Sequence, residues 1–327
     1  MKEQRNVSIQ ILRICACLIV FLVHFGQRVD FCGTLRSFTD FGRFGVHLFF
    51  LISGFLAGKT FWDNPNINTI QYYIKRIIAI LPLYFLVILY YFITENVLNI
   101  FFNVIPSDEL GIGWFRYIFL LNGFLNSDTY FWSNLGITWT IPIFMFFYLL
   151  APFTLRKIKS VRSSILVWFF VYVITNIGSY FYSCTIFKYL HLLYLGVVLH
   201  ACAKNDYHHI STIAFSCAAI CMTILNRPSY TYVCIFSIII LISTSMKVVS
   251  LPDQLQKIID VTDKYSYTLY LAHGVVFCSL LDRLNMLDSP KSIVAIVAIA
   301  GTALGTWLVG RYIEKPIQHW LRKKLVK

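Results

Sequence analysis

With 327 residues, 58% of them hydrophobic and only 13% charged, the chain has too little polar surface for a soluble fold, which needs about a quarter of its residues charged. Mean hydropathy is +0.68, and apolar stretches recur almost to the C-terminus, so residues 1–327 read as one integral-membrane domain. A net charge of +13 calls for no nucleic acid, because membrane topology and anionic headgroups account for it.

Lys2 and Arg5 precede an apolar run from Ile9 to Phe25. Arg13 interrupts that run and no small-residue cleavage site follows, so it reads as a retained first helix rather than a cleaved leader. Spanning segments of roughly 20 apolar residues are then expected near 9–27, 43–59, 77–94, 135–153, 164–183, 187–203, 209–226, 231–247, 265–282 and 292–310. Longer loops are expected at 28–42, 95–113 and 247–264, the second holding Glu95, Asp108 and Glu109 and no basic residue. Trp114–Leu125 is apolar but short, and Asn126, Ser127 and Asp128 follow it closely. Leaving it at the outer interface puts Lys2 and Arg5, the cluster Arg156, Lys157, Lys159 and Arg162, and the tail Arg322–Lys324 and Lys327 all on the cytoplasmic side. This arrangement places 19 Lys and Arg in inner segments and 8 in outer ones, with Arg13 alone inside a span. Because lipid forces backbone groups to pair internally, the expected fold is an all-α bundle of about ten spans with both termini cytoplasmic.

Ionisable groups inside spans are costly and therefore candidates for function. Arg13 and His24 lie eleven residues apart, about 1,100° of helix rotation, so they share a face and are separated by a rise of roughly 16 Å. Two readings stand side by side. In one, Arg13 snorkels to the inner headgroups and His24 sits at the outer ones. In the other, His24 is a general base and Arg13 holds an anionic group.

Further along, Ser53, Gly54, Ala57 and Gly58 form a small-residue face suited to close helix packing or to lining a site. Lys75 and Arg76 lie at an inner helix end, positioned for phosphates and equally explained by the inside-positive bias. Pro82 and Pro142 fall inside expected spans, freeing the carbonyls of Ile78 and Thr138. Trp114, Trp132 and Trp139 suit an outer aromatic belt. His273 lies mid-span, where a satisfied core histidine and a functional one are both open readings. Glu314 and Lys315 follow the last span and read as an anchor for its inner end. The nine cysteines (15, 17, 32, 184, 202, 217, 221, 234, 278) mostly sit in apolar runs and form no Cys-x-x-Cys pair, so no structural disulfide and no metal is expected.

Several stretches occur in a fixed order: Gly42-Arg-Phe-Gly45-Val46-His-Leu48-Phe49-Phe50, with Ser53 to Leu56 after it; Tyr73-Ile-Lys75-Arg76; Trp139-Thr140-Ile-Pro142 leading to Phe147-Tyr148 and Pro152; Ser266-Tyr267-Thr-Leu269-Tyr270-Leu271-Ala-His273; and Tyr312-Ile313-Glu314-Lys315-Pro316. With the Arg13 and His24 pair, the set resembles the acyltransferase-3 family of membrane O-acyltransferases, which decorate cell-surface polysaccharides, often with acetyl. The resemblance runs the length of the chain, and no trailing hydrolase-like domain is seen.

What the resemblance implies is an acyl-CoA donor (acetyl-CoA first) on the cytoplasmic side and a carbohydrate hydroxyl as acceptor, with no permanently bound cofactor. It places the protein in the cell (plasma) membrane with the bilayer as its surroundings. By the same resemblance, Arg13 and His24 match the catalytic first-helix pair. Arg76, with Lys75 beside it, matches the start of an Arg-x-x-Arg element that would bind the donor. Trp139, Tyr148, His273 and Ser53 are candidates to line the substrate site. Two positions depart from the pattern: Ala79 stands in place of the second arginine, and Phe144 in place of a glutamate about five residues after Trp139. A transporter or flippase for lipid-linked glycans is the alternative, with Arg13 and His24 lining a path, but no internal repeat supports it. A polysaccharide polymerase is a third, for which the outer loops are modest.

Overall fold

The computed structural model describes residues 7–28, 41–93, 113–124, 135–245, 251–278 and 290–326. Among them the chain is helical, with no strand. Eight helices are long and apolar enough to cross a membrane: Val7–Gly26, Phe41–Asp63, Thr69–Phe92, Gly136–Lys157, Val161–Phe181, Thr185–Lys204, Pro228–Ser245 and Ser292–Leu325. His208–Ile224 is apolar but shorter, and the helix expected over 265–282 is described only to Cys278.

We number the helices α1 (Val7–Arg28), α2 (Gly45–Asp63), α3 (Thr69–Phe92), α4 (Gly113–Ile118), α5 (Thr140–Thr154), α6 (Val161–Phe181), α7 (Thr185–Lys204), α8 (His208–Ile224), α9 (Pro228–Ser245), α10 (Asp253–Lys264), α11 (Ser266–Ala272), α12 (Lys291–Val309) and α13 (Lys315–Leu325). The chain divides into two compact units. The first comprises Met1–Asn66, Ala151–Ile174 and Leu190–Tyr270; the second comprises Ile67–Leu150, Thr175–Tyr189 and Leu271–Lys327.

In the first unit the small-residue face of α2 does pack. A Cβ on Gly54 would run into the carbonyl of Leu193, one on Gly196 would meet the carbonyl of Leu51, and one on Gly58 would stand 3.3 Å from the Val197 Cα. Only glycine lets α2 and α7 approach this closely. Phe50, Leu51, Ile52, Leu193 and Leu199 form the core around that contact. On α6, by contrast, Ile165, Leu166, Phe169 and Phe170 are exposed apolar side chains, and α8 buries no residue; such surfaces suit lipid rather than water.

Two expectations need correction here. The segment 247–264 is not all loop, since 253–264 forms α10, whose Ile259 and Asp263 face inward while Leu255, Ile258 and Val261 are exposed. Its charged residues lower hydropathy below any spanning threshold, but their 3.6-residue spacing still makes an amphipathic helix.

In the second unit α3 begins at Thr69, well before the expected 77, because the Asn68 side chain accepts from the Gln71 amide at 3.0 Å and caps it. Pro142 is the other correction. A 3₁₀ turn over Leu135–Trp139 precedes α5, so Pro142 lies in the first helical turn, where its missing N–H costs little. Pro152 is the proline inside α5. The piece 113–124 is a short helix and a turn broken at Leu120, whose φ of 58° ends the helical path. Gly123 seats that turn: its carbonyl accepts from Thr185 Oγ1 at 3.0 Å, and a Cβ there would stand 2.6 Å from the Pro142 Cβ.

Candidate active site

One unbroken helix, α1, carries both Arg13 and His24. Gly42 and Gly45, which open the stretch before α2, let that segment lie against the middle of α1. A Cβ on Gly45 would be 2.9 Å from side-chain carbons of Ile19 and Val20. Phe41 and Phe44 continue the packing onto Tyr232, with ring centres 5.0 and 4.2 Å away. The side of α1 that carries Ala16, Val20 and Val23 is thus covered by apolar contacts, while Leu18 is exposed and His24 itself is half-buried.

Arg13 has a partner that sequence reasoning did not supply. Its Nη2 donates to Asp263 Oδ2 at 2.9 Å, and the Asp263 side chain is only 3% exposed against 33% for Arg13. One turn earlier, the buried Gln10 donates through Nε2 to Asp263 Oδ2 at 3.3 Å and to Asp260 Oδ1 at 2.9 Å. The Ser266 hydroxyl donates to the Asp263 carbonyl at 2.8 Å, and the Cys17 thiol to the Ser266 carbonyl at 3.4 Å. The residue pairs 10/13 and 260/263 therefore zip α1 to α10 at i, i+3 spacing. A bare snorkelling arginine is not what the fold contains; a charge-assisted hydrogen bond holds the guanidinium. The missed signal is an acid three residues before Ser266, hidden by the expectation of a loop.

In the second unit Arg76 and Tyr148 come together. The Arg76 guanidinium lies over the Tyr148 ring at 4.7 Å and the Tyr72 ring at 5.2 Å. Phe144, which stands where the resemblance led us to expect an acid, stacks on Tyr148 at 6.4 Å. Among the described residues no carboxylate pairs with Arg76. An aromatic pair therefore holds it through cation–π contact. Lys75, its neighbour on α3, is exposed and points elsewhere around the helix. Three residues on, the Ala79 carbonyl accepts from Gln318 Nε2 at 3.2 Å, and that same nitrogen donates to Glu314 Oε1 at 2.8 Å. Glu314 is buried and ion-paired to Lys315 at 2.9 Å. The pair that read as an anchor for the end of the last span belongs to an inward-facing polar knot joining α13 to α3.

Trp139 and His273 also lie on segments in contact. A Cβ on Gly274 would clash with the Ile137 side chain, and Tyr91 donates to the Gly274 carbonyl at 3.2 Å. Trp139 packs on Tyr189 with ring centres 4.9 Å apart. His273 is buried and opens a π-helical turn, His273–Cys278, a departure from α geometry often found at functional positions. Ser53 is half-buried on α2 in the first unit, beside the glycine contact. The described cysteines 15, 17, 184, 202, 217, 221 and 234 are free thiols, and no group of three metal-type ligands occurs among the described residues. Trp132, Cys32 and the acids Glu95, Asp108 and Glu109 lie outside the described residues.

Eight membrane-length apolar helices among the described residues, and an arginine inside the first that is ion-paired to a buried acid, define an integral membrane protein. The chain belongs to the acyltransferase-3 family: the family model described as an acyltransferase domain matches residues 6–311. It is accordingly a membrane acyltransferase in the general sense. The match stops just short of Tyr312–Pro316. No curated protein and no solved structure matches the chain.

Proposed function

We propose that the protein moves an acyl group, acetyl first, from acyl-CoA to a hydroxyl of a cell-surface or lipid-linked carbohydrate, working in the plasma membrane with both termini cytoplasmic. The observation that carries this reading is α1 itself, with Arg13 ion-paired through one edge and His24 about 16 Å further along the same helix. His24 takes the proton of the attacking hydroxyl, whose oxygen forms the new ester bond as the C–S bond to CoA breaks and the thiolate leaves. Arg13, tied to Asp263 at the other end of that stretch of α1, offers its remaining donors to an anionic group of the acyl donor. Arg76, stacked on Tyr72 and Tyr148, receives a donor phosphate, with exposed Lys75 beside it as a further cation. Trp139, Tyr148, His273 and Ser53 remain candidates to line the substrate path.

The test uses purified protein, labelled acetyl-CoA and a panel of cell-envelope glycans. Label appearing as an alkali-labile ester on a glycan supports the reading, and His24→Ala is expected to abolish it while the protein still reaches the membrane. Undiminished transfer by that variant removes His24 from the mechanism. Glycan movement across vesicles without acylation would favour a flippase instead.

A further inference from the structure

Within the second unit, α3 and the rod made by α12 and α13 run antiparallel, and three contacts fix their register. Gln318 Nε2 on α13 donates to the Ala79 carbonyl on α3 at 3.2 Å. Near the far end of α3, Tyr91 donates to the Gly274 carbonyl at 3.2 Å. Two residues beyond Gly274, a methyl of Val276 lies where a Cβ on Gly305 of α12 would approach to 3.1 Å. Advancing along α3 from Ala79 to Tyr91 therefore means going back along the rod from Gln318 toward Gly305. In the opposite direction, the first turns of α3 and the last turns of α13 end up side by side. Arg76 and Lys75 stand about 5–6 Å past Ala79 in that direction, and Arg322 about 6 Å past Gln318.

Residues four apart share a helix face, so Glu314, Gln318 and Arg322 form one row on the rod. The first two are buried in the knot against α3, and Arg322, the third, is exposed. Among the described residues Arg322 makes no ion pair and no ring contact, and no carboxylate pairs with Arg76. Lys323 and Lys324 turn off this row by about 100° and 200°, and the Lys324 ammonium lies over the Trp320 ring at 5.1 Å. Of the basic residues closing α13, Arg322 is thus the one that continues the face held against α3. Two cations brought to one end of a helix pair, with no acid paired to either, favour an anion beside them.

We infer that Arg322 is a donor-binding residue: with Arg76 it cradles phosphate groups of the acyl-CoA, supplying from α13 the second cation that Ala79 does not supply from α3. The inference rests on the acyl-CoA reading above. A guanidinium takes phosphate through paired N–H donors, which an ammonium on another face of α13 does not reproduce. A phospholipid headgroup offers the same phosphate chemistry, and the experiment separates the two sources.

Full-length protein in nanodiscs of phosphatidylcholine is titrated calorimetrically with CoA, and KM and kcat for acetyl-CoA are read beside it. Arg322→Gln is expected to raise both the Kd for CoA and the KM about three- to tenfold, with kcat near wild type. Lys323→Gln and Lys324→Gln remove the same charge from other faces and should shift Kd by less than about twofold. Arg322→Lys keeps the charge without the paired donors and should fall between wild type and Arg322→Gln; should Arg322→Gln fail to accumulate, a raised Kd in Arg322→Lys carries the test. Wild-type Kd in the Arg322 variant, or an equal rise in all three glutamine variants, overturns the assignment. A lipid site would show instead as wild-type CoA affinity in Arg322→Gln together with loss of the rise in unfolding temperature that phosphatidylglycerol in the discs gives wild type; that result also overturns it. A wild-type protein that binds no CoA overturns the donor reading beneath it.

Discussion

Replacing Lys315 by methionine isolates the energetics of the knot at the end of α3. The Glu314 side chain is 1% exposed and its Oε1 accepts from Lys315 Nζ at 2.9 Å and from Gln318 Nε2 at 2.8 Å. Removing the cation alone strands a buried carboxylate. Breaking a buried pair in this way costs about 3–5 kcal/mol. Lys315 is 26% exposed and Gln318 keeps its bond, which puts the expected loss at the lower end, about 3 kcal/mol. Replacing Glu314 by leucine as well removes the charge to be stranded, and the double variant should recover to within about 1 kcal/mol of wild type. The buried free thiols Cys17, Cys184, Cys202 and Cys234 provide the assay: a thiol-reactive dye reports unfolding of the detergent-solubilised protein as temperature rises. Wild-type unfolding by Lys315→Met, or a double variant no better than the single one, would show that the pair is not an energetic unit and refute the reasoning.

Two further outcomes follow from neighbouring geometry. Arg76→Lys gives up the stack on Tyr72 and Tyr148, worth about 0.5–2 kcal/mol, so KM for acetyl-CoA should rise roughly 2- to 30-fold, whereas Lys75→Gln, which removes an exposed cation with no stack, should raise it less; equal effects in steady-state kinetics would refute the distinction. Asn122 has 0% exposure, and neither end of its amide has a partner among the described residues, so Asn122→Leu should raise stability by about 1–3 kcal/mol, and a lower unfolding temperature would contradict this.

Much of the architecture was readable from composition, because a bilayer admits few folds and hydropathy marks helices directly. The packing of Gly54 and Gly58 was one of two uses the sequence offered for that face, since small residues at four-residue spacing suit close helix contact. What stayed hidden lay where hydropathy is silent. Asp263 belongs to a helix too charged to register as a span, and its link to Arg13 joins residues 250 positions apart. Periodicity along one helix cannot report which distant acid faces it. The same limit applied to Phe144, whose role emerged only once Tyr148 and Arg76 were seen stacked beside it. His24 was legible as a histidine on the face of Arg13, and that relation depends on α1 alone.

The π-helical turn Gly310–Glu314 joins α12 to α13 without interrupting the rod. Such a turn holds an extra residue, so α13 runs out of phase with a wheel drawn from Lys291. Taking that residue out at Arg311 would let the α ladder close cleanly and leave α13 facing as it does, whereas a one-residue deletion just past the turn, at Pro316, would swing the rest of α13 through about 100° relative to α12. Gln318 would leave the Ala79 carbonyl and Glu314 its shelter. A substitution or a deletion within this turn is a local event; a single-codon deletion beyond it is a change of gear, and relatives of this protein that preserve the knot should preserve the spacing from Glu314 to Gln318.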